Sequence, residues 1–226
     1  MKKYYKAYDK RYKTIHSKGN DWAGDRPTYL LKDWFEKYGI NAKSQILEVG
    51  CGEGQNALYL QRENFSSLAT DVSQEAIRWC KEKAEKQNLD ANKFEVLDIL
   101  DNNLDKKFDC IYSISTLHML VLDEDRKQFF KFIYEHLSED GIAIITSMGD
   151  GEFEQNKSDI NKAFELSERP FGEEVVLVAT TSCRIVNWQT ILKEAKNANL
   201  KVVEHFVSKE VSGFENSMIL FLKKGT

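Results

Sequence analysis

The sequence predicts an α/β fold built on a doubly wound sheet. Short apolar runs alternate with amphipathic stretches of helical spacing, and three of the chain's twelve glycines crowd the mouth of its first clear strand. Such alternation is what parallel strands joined by crossover helices require. The 226 residues suit one domain, 1–226, with a substantial core. No repeat, linker or low-complexity tract divides them, and Pro27 and Pro170 are the only prolines.

The elements follow in order. The aromatic-rich stretch from Pro27 to Tyr38 has the period of an amphipathic helix. "QILEV" reads as a strand and "QNALYLQRE" as the helix after the glycines. "SSLATD" is a strand ending in an acid. In "SQEAIRWCKEKAEKQN" Ala76, Ile77, Cys80 and Ala84 share one helical face, and Ser73 stands where an N-cap belongs. "KFEVLD" and "FDCIYSIS" are the third and fourth strands. "DEDRKQFFKFIYEHL" carries Phe129, Phe132, Ile133 and the His136/Leu137 pair at helical spacing, and "GIAIITSM" is too apolar for an exposed strand. The last third offers "NWQTILKEAKNAN" as a helix before the strands "KVVEHFV" and "SMILFLKK". The stretch 149–187 is long for a crossover between core strands, and insertions of that kind often carry specificity.

Composition narrows the function. Thirty-six acidic against thirty-two basic residues give a formal charge of −4, which argues against nucleic acid as a partner. No apolar stretch reaches membrane-spanning length and no signal-type h-region follows the first lysines, so a cytoplasmic protein with no membrane partner is expected. Cys51, Cys80, Cys110 and Cys183 form no C-x-x-C pair, so neither a metal nor a redox dithiol is expected, and composition assigns no oligomeric state.

The segment "ILEVGCGEGQNALYL" carries the strongest signal. Glycines at the carboxyl end of a parallel strand let a nucleotide approach the backbone, so side chains at Gly50, Gly52 and Gly54 are expected to hold a ligand away. The dinucleotide spacing G-x-G-x-x-G fails at Gln55, which disfavours NAD. Asp71 ends the second strand nineteen residues after Gly52, where a carboxylate can accept bonds from ribose hydroxyls, and Asp98 similarly ends the third, beside Ile99. Glycine loop and acids together describe one adenosine-shaped site.

On "LEVGCGEG", "ATD", "VLD", "FDCIYSISTLHML" and "LSEDGIAII", the sequence resembles the class I S-adenosylmethionine-dependent methyltransferases over about residues 10–223. The resemblance implies a Rossmann-like, seven-stranded, mostly parallel sheet with one antiparallel strand near the C-terminus and helices on both faces. It implies S-adenosylmethionine as cofactor and S-adenosylhomocysteine as product. The loop from Gly50 through Cys51 and Gly52 to Gly54 would hold the methionine end, with Glu48 supporting it. Asp71 would take the ribose, Val72 and Ile99 the faces of the adenine, Asp98 its amine, and Ser115 would offer backbone to the methionine moiety. "YDKRY" and "DWAGDRPTYLL" further resemble tellurite-resistance-like and thiopurine-methyltransferase-like enzymes acting on small molecules, whose aromatic N-terminal segment folds over the cofactor. Residues 1–40 would then form a lid, with Tyr12, Trp22 and Arg26 at the entrance, and 149–187 a cap over the acceptor.

His118 is the histidine placed to take a proton from an incoming nucleophile, or else to pack against the cofactor. His136 has a structural position on its helix, and His16 and His205 have none assigned. Arg169 and Arg184 either greet an acidic acceptor or serve as surface charges. The expected function is methyl transfer to a small-molecule acceptor by in-line displacement. The rivals are a catalytically silent cofactor sensor, an NAD-dependent oxidoreductase, and a nucleic-acid methyltransferase. The last would commonly carry Asn/Asp-Pro-Pro-aromatic where this chain has "SISTLH".

Overall fold

The structure, a computed structural model, describes residues 3–155 and 158–225. The parts of 1–40 and 149–187 that fall on residues 1, 2, 156 and 157 lie outside them. Two helices, α1 (Ala7–His16) and α2 (Leu30–Lys37), precede the sheet. There follow β1 (Ile46–Val49), α3 (Gln55–Arg62), β2 (Ser67–Asp71), α4 (Gln74–Lys86), β3 (Phe94–Val96), β4 (Phe108–Ser113), α5 (Asp123–His136) and β5 (Leu137–Met148). A hairpin of β6 (Leu166–Phe171) and β7 (Glu174–Ala179) leads to α6 (Trp188–Asn197), β8 (Leu200–Ser208) and β9 (Ser217–Lys224).

Seven strands form the main sheet in the order β3-β2-β1-β4-β5-β9-β8, and β9 runs antiparallel to both its neighbours. The chain winds outward from β1 to β3, then returns to lay β4 on the other side of β1, with Ile46, Leu47 and Glu48 opposite Cys110, Ile111 and Tyr112. That reversal opens a crevice beyond the carboxyl ends of β1 and β4.

Both faces of the sheet are covered, so its central strands are apolar on both sides. Leu47, Val49, Ile111, Ala143 and Ile145 meet Phe129, Phe132 and Ile133 of α5 and Ile191 of α6. On the opposite face Ile46, Tyr112 and Ile144 pack against Leu31, Trp34 and Phe35 of α2, while Ala69 and Phe94 meet Ala57 of α3 and Cys80 of α4. The expected N-cap is present: Ala76 N–H donates to Ser73 Oγ at 3.0 Å.

Two elements depart from expectation. The stretch before Pro27 contains a full helix, α1, whose buried face is Ala7, Arg11, Tyr12, Ile15 and His16, and the 149–187 insertion contains a hairpin. α1 packs on that hairpin, with Ile15 against Val176 and Val178.

The fully buried Arg126 of α5 ties α6 to the segment that follows β4. Its guanidinium donates to both carboxylate oxygens of Glu194 at 2.7 Å and to the carbonyls of Leu117 and Leu120 at 3.0 and 3.3 Å. Arg126→Ala strands all three acceptors and should cost about 3–5 kcal/mol of stability, read by urea denaturation.

Candidate active site

Beyond the carboxyl ends of β1 and β4 lies a cavity of about 800 Å³, within the range that holds a small-molecule ligand. The glycine loop forms its floor. Gly50 and Cys51 N–H both donate to the Thr70 carbonyl, at 2.8 and 2.9 Å, which folds the loop back against β2. Gly50, Gly52 and Gly54 all have left-handed φ, of +74°, +53° and +82°.

The space each glycine leaves is used differently from expectation. A Cβ on Gly50 would stand 2.3 Å from Thr116 Oγ1, and one on Gly54 would stand 2.9 Å from Cys80 Sγ and 3.2 Å from the Phe94 ring. These two give room to the protein itself, and Gly54 does not border the cavity. Gly52 alone borders the cavity without such packing, a Cβ there reaching only the Tyr12 hydroxyl, at 3.1 Å.

Acids from successive strands face this floor. Glu48 is buried, and its carboxylate accepts from Tyr112 Oη at 2.9 Å and Asn56 Nδ2 at 3.4 Å. With only neutral donors against it, burial pushes its carboxyl up to about 7. Asp71 Oδ2 accepts the Gly52 N–H at 2.9 Å and Oδ1 the Ser73 N–H at 2.8 Å. Burial raises its carboxyl too, although both N–H bonds oppose the rise. Asp98 differs: burial alone would raise it, but Lys3 and Lys6 bring it below the usual carboxylate range. Their Nζ atoms lie 3.0 and 3.1 Å from Oδ2, and Tyr5 Oη lies 3.3 Å from both carboxylate oxygens. The acid that the resemblance gives to an adenine amine is held here by the chain's own N-terminal segment.

That segment roofs the cavity. Glu53, inside the glycine loop and buried, accepts from Trp22 N–H at 2.7 Å, Ala23 N–H at 2.8 Å and His16 Nε2 at 2.8 Å. His16 Nδ1 meets Glu75 of α4 at 2.9 Å, and its ring stacks between Tyr12 and Trp79. Tyr12, Trp22 and Arg26 all border the cavity, as do Val72 and Ile99. Sequence reasoning left His16 unplaced and passed over Glu53 and Arg11. Glu53 carried a signal, an acid between the last two glycines, whereas Arg11 and His16 needed the helix register of α1.

The far wall follows β4. Ser115 adopts a left-handed φ of +57° and gives its N–H to Thr146 Oγ1 at 2.9 Å. His118 borders the cavity yet is only 1% exposed. Burial, aided by the charge of Arg126, pushes its imidazole down to about 3. Nδ1 faces the Met148 N–H at 3.5 Å, while Nε2 has no partner among the described residues. A ring so reluctant to take a proton is a weak general base, and it offers no titration near neutrality. Arg169, on β6, borders the cavity. Arg184 does not: it pairs with Asp123 at 2.6 Å and donates to the Val121 carbonyl at 3.2 Å, which ties it to the start of α5.

A doubly wound sheet with one reversed strand, a glycine loop after β1 and acids ending β2 and β3 give this chain the fold of solved S-adenosylmethionine-dependent methyltransferases. Residues 46–141 match the family described as "Methyltransferase domain". Among its relatives, the TehB methyltransferase of Haemophilus influenzae is 29% identical over 109 residues, 48% of this chain and 37% of that one. Human EEF1A lysine methyltransferase 2 is 26% identical over 172 residues, 72% of each chain. The crystal structure of an S-adenosylmethionine-dependent methyltransferase from Clostridium acetobutylicum aligns with a TM-score of 0.67 at 18% identity, covering 95% of this chain and 96% of that one. The chain spans half or less of the length of several bacterial relatives it matches. No helix among the described residues is long and apolar enough to cross a membrane.

Glu48 sets a pH dependence of stability. Its carboxyl sits at about 7 in the fold against an ordinary 4.5, so folding favours the protonated form. Stability is fullest below 4.5 and is lost as pH rises through about 7, by about 3 kcal/mol from this group. Glu48→Gln should flatten that slope in denaturation curves recorded from pH 4.5 to 8.

Proposed function

We propose that the chain transfers the methyl group of S-adenosylmethionine to a small-molecule acceptor by in-line displacement. The observation that carries this reading is one cavity running from the glycine loop, past Asp71 and Val72, to the β6–β7 hairpin under the cover of α1. A roofed cavity of about 800 Å³ suits a cofactor and a small acceptor better than a side chain presented from a protein surface.

In this reading Gly52 lets the methionine end approach the backbone, and Asp71 accepts the ribose hydroxyls with the lone pairs its two N–H bonds leave free. Val72 and Ile99 flank the adenine. Asp98 receives its amine once Lys3 and Lys6 give way, and Glu48 lies beneath the methionine end. When bound, S-adenosylmethionine supplies a methyl group already activated on a sulfonium. What remains for the protein is to align the acceptor and keep water out. Tyr12, Trp22 and Arg26 close the entrance as part of a 1–40 lid, and the 149–187 insertion caps the acceptor. His118, neutral across the physiological range and packed against Phe214, shapes the wall on the acceptor side rather than taking a proton.

A screen of small thiols, amines, phenols and oxyanions with S-adenosylmethionine, read as S-adenosylhomocysteine formed, tests this function; no turnover with bound cofactor would favour a silent sensor. Asp71→Ala should weaken cofactor binding in calorimetry by about 1.5–3 kcal/mol. Lid behaviour is read separately, by amide exchange across residues 3–26. Exchange should slow when S-adenosylhomocysteine is added, and equal exchange would remove the lid.

A further inference from the structure

Charge is divided unevenly around the cavity. The carboxylates that border it, Glu48, Glu53, Asp71 and Asp98, all belong to the glycine loop or to the ends of β1, β2 and β3. The arginines that border it, Arg11, Arg26 and Arg169, come from α1, the stretch after it and β6. None of these arginines forms an ion pair with a carboxylate among the described residues, whereas Arg126 and Arg184 outside the cavity both do.

Arg11 is the informative member because it is only 5% exposed. Its Nε and Nη2 donate to the Ala179 carbonyl at 3.0 and 2.8 Å, and its guanidinium lies 4.6 Å from the Trp22 ring centre and 5.2 Å from that of Tyr8. Nη1 meets no acceptor among the described residues. Arg169, solvent-exposed at the cavity rim, is close enough for its charge to be felt at Arg11. Burial first, and then Arg169, lower the Arg11 guanidinium below its ordinary value, while the phenol of Tyr8 opposes them. Two guanidiniums that border one cavity, one of them buried and neither paired with a carboxylate among the described residues, form a costly arrangement that a bound anion relieves.

We propose that Arg11 and Arg169 form an anion subsite in the acceptor half of the cavity, so that the methyl acceptor is a small organic molecule carrying a carboxylate. The proposal rests on the methyl-transfer reading above. The planar fork of arginine matches a carboxylate with two parallel bonds, and Nη1 of Arg11 with the guanidinium of Arg169 supplies the donors. Tyr8, Trp22 and Phe171 add apolar surface for the body of the same molecule. A purely structural Arg11, stapling α1 to the end of β7, accounts for the Ala179 bonds but not for a second arginine, from β6 and without a carboxylate partner among the described residues, on the same cavity.

The test uses the full chain saturated with S-adenosylhomocysteine, with 3-phenylpropionate and its isosteric amide, 3-phenylpropanamide, as probes in ligand-observed NMR titrations. The wild type should bind the acid at least about tenfold more tightly than the amide. Arg169→Gln should reduce that preference to about threefold or less while leaving S-adenosylhomocysteine affinity unchanged in calorimetry. Arg169 is solvent-exposed and its side chain makes no hydrogen bond among the described residues, so this variant, which leaves the β6–β7 backbone pairing alone, tests the subsite without risking the fold. Arg11→Lys, which keeps the charge but loses the fork, should also weaken the acid. Equal binding of acid and amide, binding of neither, or an acid preference untouched by Arg169→Gln overturns the subsite and leaves the methyl-transfer reading standing. Failure of the wild type to bind S-adenosylhomocysteine overturns the reading on which it rests.

Discussion

The buried carboxylate of Glu53 is the constraint on which the site depends. It stands between Gly52 and Gly54, and its acceptors are filled by two backbone N–H groups of the N-terminal segment and by His16. A carboxylate this enclosed is tolerable only while those donors stay, because an uncompensated buried charge costs several kcal/mol. The loop that receives a ligand and the segment that covers it are therefore one electrostatic unit. Through His16 and Glu75 the unit extends to α4, and the stacking of His16 between Tyr12 and Trp79 fixes the ring plane that makes both bonds. The other end of the cover is held by Lys3 and Lys6 on Asp98, lysines one third or more exposed, and pairs of that kind hold weakly against water and salt. The cover is thus held at residues 16–23 through Glu53, while at its start Tyr4 is buried and bonded to Asp125 and the Val121 N–H, so that only the lysine contacts on Asp98 are of the weak, exposed kind.

The division of charge follows from the same topology. Parallel strands that end side by side bring their terminal acids together, so β1, β2 and β3 load one half of the cavity with carboxylates. α1 and the hairpin are additions to that sheet, and they bring arginines. On the proposed function a sulfonium would meet acids on the side of the glycine loop, and the guanidiniums on the other side would gain most from an acceptor that brings its own negative charge.

What the sequence disclosed was whatever periodicity and strand-end chemistry can encode. The buried strands read as apolar runs, the α4 face of Ala76, Ile77, Cys80 and Ala84 was visible at helical spacing, and Ser73 announced its cap. α1 was missed because its buried stripe contains Arg11, Tyr12 and His16, which read as surface residues until stacking and a buried acid explain them. The hairpin was missed for the opposite reason. Its outer positions Leu166, Val175 and Leu177 are apolar yet exposed, so the alternation that marks a half-buried strand is blurred, and Pro170 interrupts it. The glycines read as a loop at the mouth of a strand, which the fold bears out, but their spacing cannot reveal that Thr116 and Cys80 occupy the room beside Gly50 and Gly54. Arg169 and Arg184 are indistinguishable in the sequence, and only the fold sends one to the cavity and the other to Asp123.

His118 completes the physical account of how such a site can work without a titrating base. Its neutrality follows from position: the ring is enclosed, Arg126 lies close, and no carboxylate among the described residues pairs with it. Nδ1 toward the Met148 N–H leaves the proton on Nε2, so the ring is a fixed dipole rather than a proton carrier. A ring fixed and enclosed in that way cannot create a nucleophile from a group that arrives protonated. On the proposed methyl transfer, the acceptor would be a group already nucleophilic on arrival, its barrier lowered by alignment and by the exclusion of water under α1. On that proposal the task of holding the acceptor still would fall to the arginines, and His118 would serve by its shape and its lack of charge.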